Sequence, residues 1–258
     1  MKKGLRIAIV AAAACLLAFV IFLISSMNED RQRQLTCCGV RVEFPEEYNF
    51  VTAEDIEGYL KNEYGAYIGQ RLDSVDLAKV EAILRNKSAI LKAEAYTTPD
   101  GFLNVKVFQR EPAVRFQKGT VGFYADSEGF LFPLQDNYTS KVPIIDGDIP
   151  IAFEIGYKGE PTTDKEKEWL ANVISLMNFI RESKTWSDNI SQISVRHGGD
   201  LVLVPRKGKE LFIFGPPVDI EDKFARIGKY YTAIVPEKGE GYYSTVNVKF
   251  KGQIVCRK

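Results

Sequence analysis

Eighteen consecutive residues, Ile7 to Ile24, contain only Ala, Ile, Val, Cys, Leu and Phe. As a helix rising about 1.5 Å per residue, such a run reaches roughly 27 Å, close to the roughly 30 Å hydrocarbon core of a bilayer. Lys2, Lys3 and Arg6 precede it without an acidic neighbour, and a basic flank of this kind stays on the cytoplasmic side. Glu29-Asp30-Arg31-Gln32-Arg33 on the far side is mixed in sign and does not reverse that orientation. The run predicts a transmembrane helix over residues 7–26, between a cytoplasmic head at 1–6 and a linker at 27–38. Everything downstream is then tethered outside the cytoplasm.

Three other readings of the run fit less well. A cleaved signal peptide has a shorter apolar region, of about 7–15 residues, and a small-x-small site after it. Here Ile24-Ser25-Ser26-Met27-Asn28 offers no clean site. A lipoprotein signal is suggested by Ala13-Ala14-Cys15, but its cysteine should end the apolar segment, and more apolar residues follow. A buried core helix does not account for the abrupt basic start and the unbroken hydrophobicity.

Beyond the run, the chain is long enough for one large or two modest domains. The 258 residues carry 34 basic and 34 acidic side chains, and without Lys2, Lys3 and Arg6 the basic count falls to 31. A slightly acidic balance does not suit a nucleic-acid-binding surface, which carries a net basic face. Cys37 and Cys38 are adjacent, and the peptide between them strains a direct bridge. One of them could still reach Cys256 if the two ends of the chain meet. Metal-ligand spacing is absent, His197 is the single histidine, and no cofactor is expected.

Val40-Arg41-Val42-Glu43-Phe44 alternates in polarity, as a strand with one buried face does. Thr52 can then cap a helix carrying Ile56, Tyr59 and Leu60, with Asp55 near its positive end. Asp76 can cap a second helix with Leu77, Val80, Ile83 and Leu84 on one stripe, and Glu81 and Arg85 as an i,i+4 pair facing water. Residues 89–97 and Leu103–Val107 flank Pro99-Asp100-Gly101, a hairpin signal. The order is β-α-α-β-β, with both helices covering one sheet face.

Pro112 restrains Glu111 toward extended geometry and marks a hinge. Short strand-like pieces follow at Gly122–Asp126, Phe130–Phe132 and Val142–Gly147. Thr163 and Glu166 form a capping box before a helix whose stripe includes Trp169, Leu170, Val173 and Met177. Further strands are predicted at Ile190–Val195, Leu201–Pro205, Leu211–Gly215 and Val246–Phe250, with an amphipathic segment at Ile220–Ile234. This second half is a mixed or mostly antiparallel sheet packed on helices.

Catalytic constellations are weak. His197 precedes Gly198-Gly199-Asp200, and Ser191 and Ser194 lie upstream, but nothing in their setting activates a nucleophile. His-Gly-Gly-Asp between strands suits a hairpin loop. Gly119-Thr120-Val121-Gly122 and Lys207-Gly208-Lys209 lack phosphate-loop spacing. Asp126, Asp146 and Asp148 sit beside turn glycines, where aspartate serves the backbone. The closing strand is the physical candidate for function. At a sheet edge its backbone is open to another chain, with Tyr242, Tyr243, Val246, Val248 and Phe250 as contacts. Lys249 would either blunt that edge or meet a partner carboxylate. Alternatively, these residues finish the domain's own core.

The helix openings Phe50-Val51-Thr52-Ala53-Glu54-Asp55-Ile56 and Leu72-Asp73-Ser74-Val75-Asp76-Leu77 resemble those of a POTRA domain. So does the exit from Leu103 through Gln109-Arg110-Glu111-Pro112-Ala113. Tyr124 to Phe132, Trp186 to Ile193, Gly215-Pro216 before Lys223, and Tyr243 to Phe250 extend the likeness. Over nearly its whole length the chain is similar to the bacterial FtsQ/DivIB cell-division family. One departure is Phe44-Pro45-Glu46-Glu47-Tyr48-Asn49, where members often place a glycine and a short step.

The resemblance implies an α+β chain: an N-terminal transmembrane helix, a POTRA domain at 39–110, an FtsQ-type β domain at 111–256 and a tail at 257–258. It implies a non-enzymatic septal scaffold of the divisome, in the cell inner membrane with its bulk in the periplasm. The partners are an FtsB-like and FtsL-like heterodimer of single-pass coiled-coil proteins, other septal membrane proteins, and the lipid bilayer through the N-terminal helix. Carried over by position, Tyr243, Ser244, Val246, Val248 and Phe250 are the contact residues of the C-terminal edge strand, flanked by Lys223 and Tyr230. The competing role is a POTRA-containing chaperone or scaffold of envelope transport or outer-membrane assembly, which normally comes with several POTRA repeats or a barrel.

Overall fold

The structure, a computed structural model, describes residues 16–22, 35–46 and 48–258. Residues 16–22 are helical. Among the described residues no helix is long and apolar enough to cross a membrane. This corrects the membrane-spanning helix expected over residues 7–26, and the bilayer contact and inner-membrane placement drawn from it fall too. The rest of that span, with the head at 1–6 and most of the linker, lies outside the described residues.

The described chain divides into two units, one holding Val51–Gln109 with the strand before Glu47, the other Tyr48–Phe50 with Arg110–Lys258. In the first unit, β1 (Gly39–Glu43) is followed by α1 (Ala53–Tyr59), α2 (Leu77–Arg85), β2 (Ile90–Thr97) and β3 (Phe102–Gln109). Thr52 caps α1 through a reciprocal box with Asp55, and Asp76 caps α2 by accepting from the Lys79 amide at 2.9 Å. These caps satisfy amides that the first turn leaves without partners. Past Tyr59, α1 widens into a π-helical turn over Leu60–Tyr64, closed by the Gly65 amide on the Leu60 carbonyl at 3.1 Å.

The sheet order is β1-β3-β2, with β1 parallel to the central β3 and β2 antiparallel to it. Ile56, Leu60, Val80 and Leu84 from the helices and Leu103, Val105 and Val107 from β3 are all buried. Each such side chain contributes about 1.5–3 kcal/mol of burial. Glu81 departs from its expected place in a solvent-facing pair with Arg85. Its carboxylate instead accepts the backbone amide of Ala95 in β2 at 2.9 Å, so the helix caps an amide of an outer strand.

The second unit contains nine strands and a covering layer of helices. They are β4 (Pro112–Lys118), β5 (Val121–Asp126), β6 (Leu131–Pro133), β7 (Ile144–Gly147), α3 (Asp164–Glu182), β8 (Ile190–Val195), β9 (Leu201–Pro205), β10 (Leu211–Gly215), α4 (Ile220–Lys229), α5 (Val235–Lys238), β11 (Thr245–Asn247) and β12 (Val255–Arg257). A π-helical turn over Tyr230–Ile234 joins α4 to α5. The order across the sheet is β12-β11-β10-β9-β8-β7-β4-β5-β6. Three neighbouring pairs, β4–β7, β7–β8 and β10–β11, are parallel and the others antiparallel. Alternate residues such as Phe116, Phe123, Ile145, Ile193, Leu203 and Phe212 form one core with Leu170, Val173 and Met177 of α3 and Phe224 and Ile227 of α4. Thr163 and Glu166 make the capping box that their spacing predicts. Pro112 opens strand β4; a first strand position tolerates the missing amide donor.

Candidate partner interface at the C-terminal sheet edge

The segment predicted as a closing strand is shorter than expected and does not close the sheet. β11 keeps only Thr245–Asn247 and lies between β10 and β12. Ser244 accepts the Leu211 amide at 2.9 Å, and the Val248 amide donates to Ile213 at 3.0 Å, fixing the segment to β10. The chain turns at Lys251-Gly252 and returns as β12, with Val246 opposite Cys256. The terminal strand is therefore Val255–Arg257, and no strand among the described residues pairs with its outer side.

The carried-over residues separate by burial. Val246 and Val248 are fully buried and belong to the core under the helices. Tyr230 is buried edge-to-face against Phe212, with ring centroids 5.7 Å apart, and burial pushes its phenol up to about 12. Lys223 is 2% exposed; its ammonium donates to the Pro216 carbonyl at 2.6 Å and lies 4.7 Å from the Phe214 ring centroid. Desolvation lowers its pKa, against the opposing pull of Asp219. These four side chains hold the edge from within.

Tyr243, Ser244 and Phe250 reach the surface, Phe250 with half its area exposed. Tyr243 packs edge-on against Tyr242 at 4.8 Å. The Lys258 ammonium sits 4.3 Å over the Tyr242 ring and, by hydrogen bonding its phenol, lowers that pKa. Lys249 is paired with Asp200 at 2.5 Å. Arg226 donates to the Val248 carbonyl at 2.8 Å and to Asp222 at 2.5 Å, tying α4 to the end of the β11 segment. Val255 and Arg257 are exposed on β12, while Cys256 is half-buried, a free thiol whose pKa burial raises. Three residues are too few for a periodic signal, so sequence reasoning missed β12. The Lys251-Gly252 turn was the available sign.

His197 stands fully exposed in the β8–β9 turn, with Nδ1 2.9 Å from a carboxylate oxygen of Asp148. Ser194 donates to Asp146 at 2.5 Å, and Ser191 donates to the Val204 carbonyl at 3.0 Å, so neither serine is joined to the imidazole. Among the described residues no group of three or more His, Cys, Asp or Glu side chains could hold a metal ion.

A family model described as FtsQ/DivIB, C-terminal related, matches residues 111–257, more than half of the chain. The chain belongs to the FtsQ/DivIB family. A POTRA-like domain model matches residues 36–108, in agreement with the β-α-α-β-β unit built there. No curated protein matches the chain. As a member of the FtsQ/DivIB family it is a scaffold of the division septum, in a family whose role is non-catalytic.

Proposed function

We propose that this FtsQ/DivIB-family chain binds an FtsB-like and FtsL-like heterodimer by adding a partner strand to β12. The single observation that carries the reading is the position of β12: it ends a nine-stranded sheet, and its outer side pairs with no other strand among the described residues. Backbone pairing would supply affinity, and exposed Val255, Arg257 and Phe250, with Tyr243 and Ser244 nearby, would supply selection. The buried Val246, Val248, Lys223 and Tyr230 support the strand rather than touch the partner. Residues 39–110 and 111–256 act as the two modules of this scaffold, the first serving other septal proteins.

The test is co-purification of the heterodimer with the full chain and with Cys256→Pro and Arg257→Pro. Successive amides of a strand point to opposite sides, so one of these prolines removes a donor from the free edge and the other from the β11 pairing. Loss of the heterodimer from a variant whose circular dichroism matches the parent is the expected result. Retention by both prolines would exclude β12 as the docking edge.

A further inference from the structure

Among the described residues four strands end a sheet: β1 and β2 in the first unit, β6 and β12 in the second. β2 is the longest of them, with eight residues against five in β1 and three each in β6 and β12. A long edge strand presents a row of backbone groups to any other extended chain. The register of β2 against β3 fixes which groups these are. Just past β2, Thr98 donates its amide to the Phe102 carbonyl at 3.1 Å, and such bonds alternate along an antiparallel pair. Tyr96, Glu94 and Lys92 therefore turn their amides toward β3, and Thr97, Ala95 and Ala93 turn theirs outward.

The middle one of these outward amides, that of Ala95, is taken. Glu81 of α2 accepts it with Oε1 at 2.9 Å, the length of an ordinary strand-to-strand bond. The carboxylate thus stands where the carbonyl of a neighbouring strand would stand. The rest of β2 is complementary to itself. Lys92 and Glu94 share one face of the strand and pair with each other within one copy. When two β2 strands are laid antiparallel with their Ala93 residues opposite, Lys92 of each copy faces Glu94 of the other. Ala95 then comes opposite Leu91, whose carbonyl would receive the amide that Glu81 holds. Leu91 and Tyr96, 49% and 47% exposed, would lie along the seam.

We infer that Glu81 guards the free edge of the POTRA-like unit: by capping Ala95 it keeps β2 from pairing with β2 of a second copy of the chain. The outward amides supply the attraction across such a seam, and the opposite charges choose its register.

Sedimentation velocity of the full chain over a concentration series reads the guard. Glu81→Ala keeps a good helix former in α2 and should self-associate at least about tenfold more tightly than the parent, since two caps no longer have to be displaced. Glu81→Gln retains a side-chain oxygen for the Ala95 amide and should sediment like the parent. In the Glu81→Ala background, Glu94→Lys sets lysine against lysine across the seam and should abolish the gain. Adding Lys92→Glu restores opposite charges and should bring it back. Circular dichroism checks Glu81→Ala for loss of α2, and the exposed charge reversals test the seam without touching the core. Any association through β12 is common to parent and variants, so failure here leaves the edge-strand reading untouched. The inference is overturned if Glu81→Ala associates no more than the parent, if Glu81→Gln associates as Glu81→Ala does, or if the gain is indifferent to Glu94→Lys.

Discussion

Arg110 and Asp126 form an ion pair at 2.7 Å, with side chains only 12% and 7% exposed. Arg110 comes from the Gln109-Arg110-Glu111-Pro112-Ala113 exit and Asp126 from the turn that ends at Gly129, so two separate pieces of the family likeness meet in one contact. The guanidinium also lies 3.5 Å over the Phe130 ring. The second carboxylate oxygen of Asp126 accepts the amides of Glu128 at 3.0 Å and Phe130 at 2.9 Å, which shapes the turn. Removing one member of such a pair leaves a buried charge uncompensated, a loss of about 3–5 kcal/mol. Arg110→Ala is therefore expected to destabilise the second unit by about that much. Both tryptophans, Trp169 and Trp186, lie in that unit, so urea unfolding followed by their emission reads it directly. Asp126→Asn keeps an oxygen for the two amides but leaves the guanidinium without its counter-charge, so a loss of similar size is expected.

Gly147 ends β7 with φ of +102°, opposite Val195 in the parallel β7–β8 pair. A Cβ there would stand 2.3 Å from the Val195 carbonyl oxygen and 3.0 Å from its amide nitrogen, both backbone atoms of the next strand. The conformation alone costs an L residue about 1–3 kcal/mol, and here the neighbouring strand must also shift. Gly147→Ala should lower unfolding free energy by about 3 kcal/mol or more. Gly156→Ala is the control: φ there is +82°, with nothing within 4 Å of the added atom, so only the conformational cost of about 1 kcal/mol is expected. Equal effects at the two sites would show that strand approach at Gly147 is not limiting.

The elements readable from sequence were those with a local cause. Thr52, Asp76 and Thr163 announce helix starts because a side-chain oxygen has to meet the first-turn amides, and all three do so. Pro99-Asp100-Gly101 announces the β2–β3 hairpin for a similarly local reason. What escaped depends on distant partners. β4 begins at a proline and reads as a hinge until β5 and β7 pair with it on either side. β12 is three residues long and exists through its pairing with β11. The alternation at Val246, Val248 and Phe250 fits an edge strand and a core strand equally, and only the position of β12 separates the two. Most of the apolar run at 7–24 lies outside the described residues, of which 16–22 are helical.

Glu166 makes the acid side of stability testable. Burial by itself would raise its pKa, but the amides of Ala152 and Thr163 and the hydroxyls of Thr162 and Thr163 all donate to the carboxylate, and the net shift is downward. The Ala152 amide is 2.7 Å away and the Thr163 amide 3.0 Å. A carboxyl whose folded pKa lies below its ordinary value of 4.5 stabilises the fold above that value and loses its contribution as pH falls through the folded pKa. Urea midpoints of the parent should therefore drop below about pH 4.5 by more than those of Glu166→Gln, which keeps the shape but has no proton to take up. Near neutral pH the variant should be the less stable protein, and the gap should narrow on acidification as the parent carboxyl protonates. Lys167 lowers the pKa of Glu160 in the same unit, but that pair is present in both proteins and cancels in the difference. A gap that stays constant from about pH 6 to about pH 3 would mean that Glu166 acts as a neutral cap, with its charge contributing nothing to the start of α3.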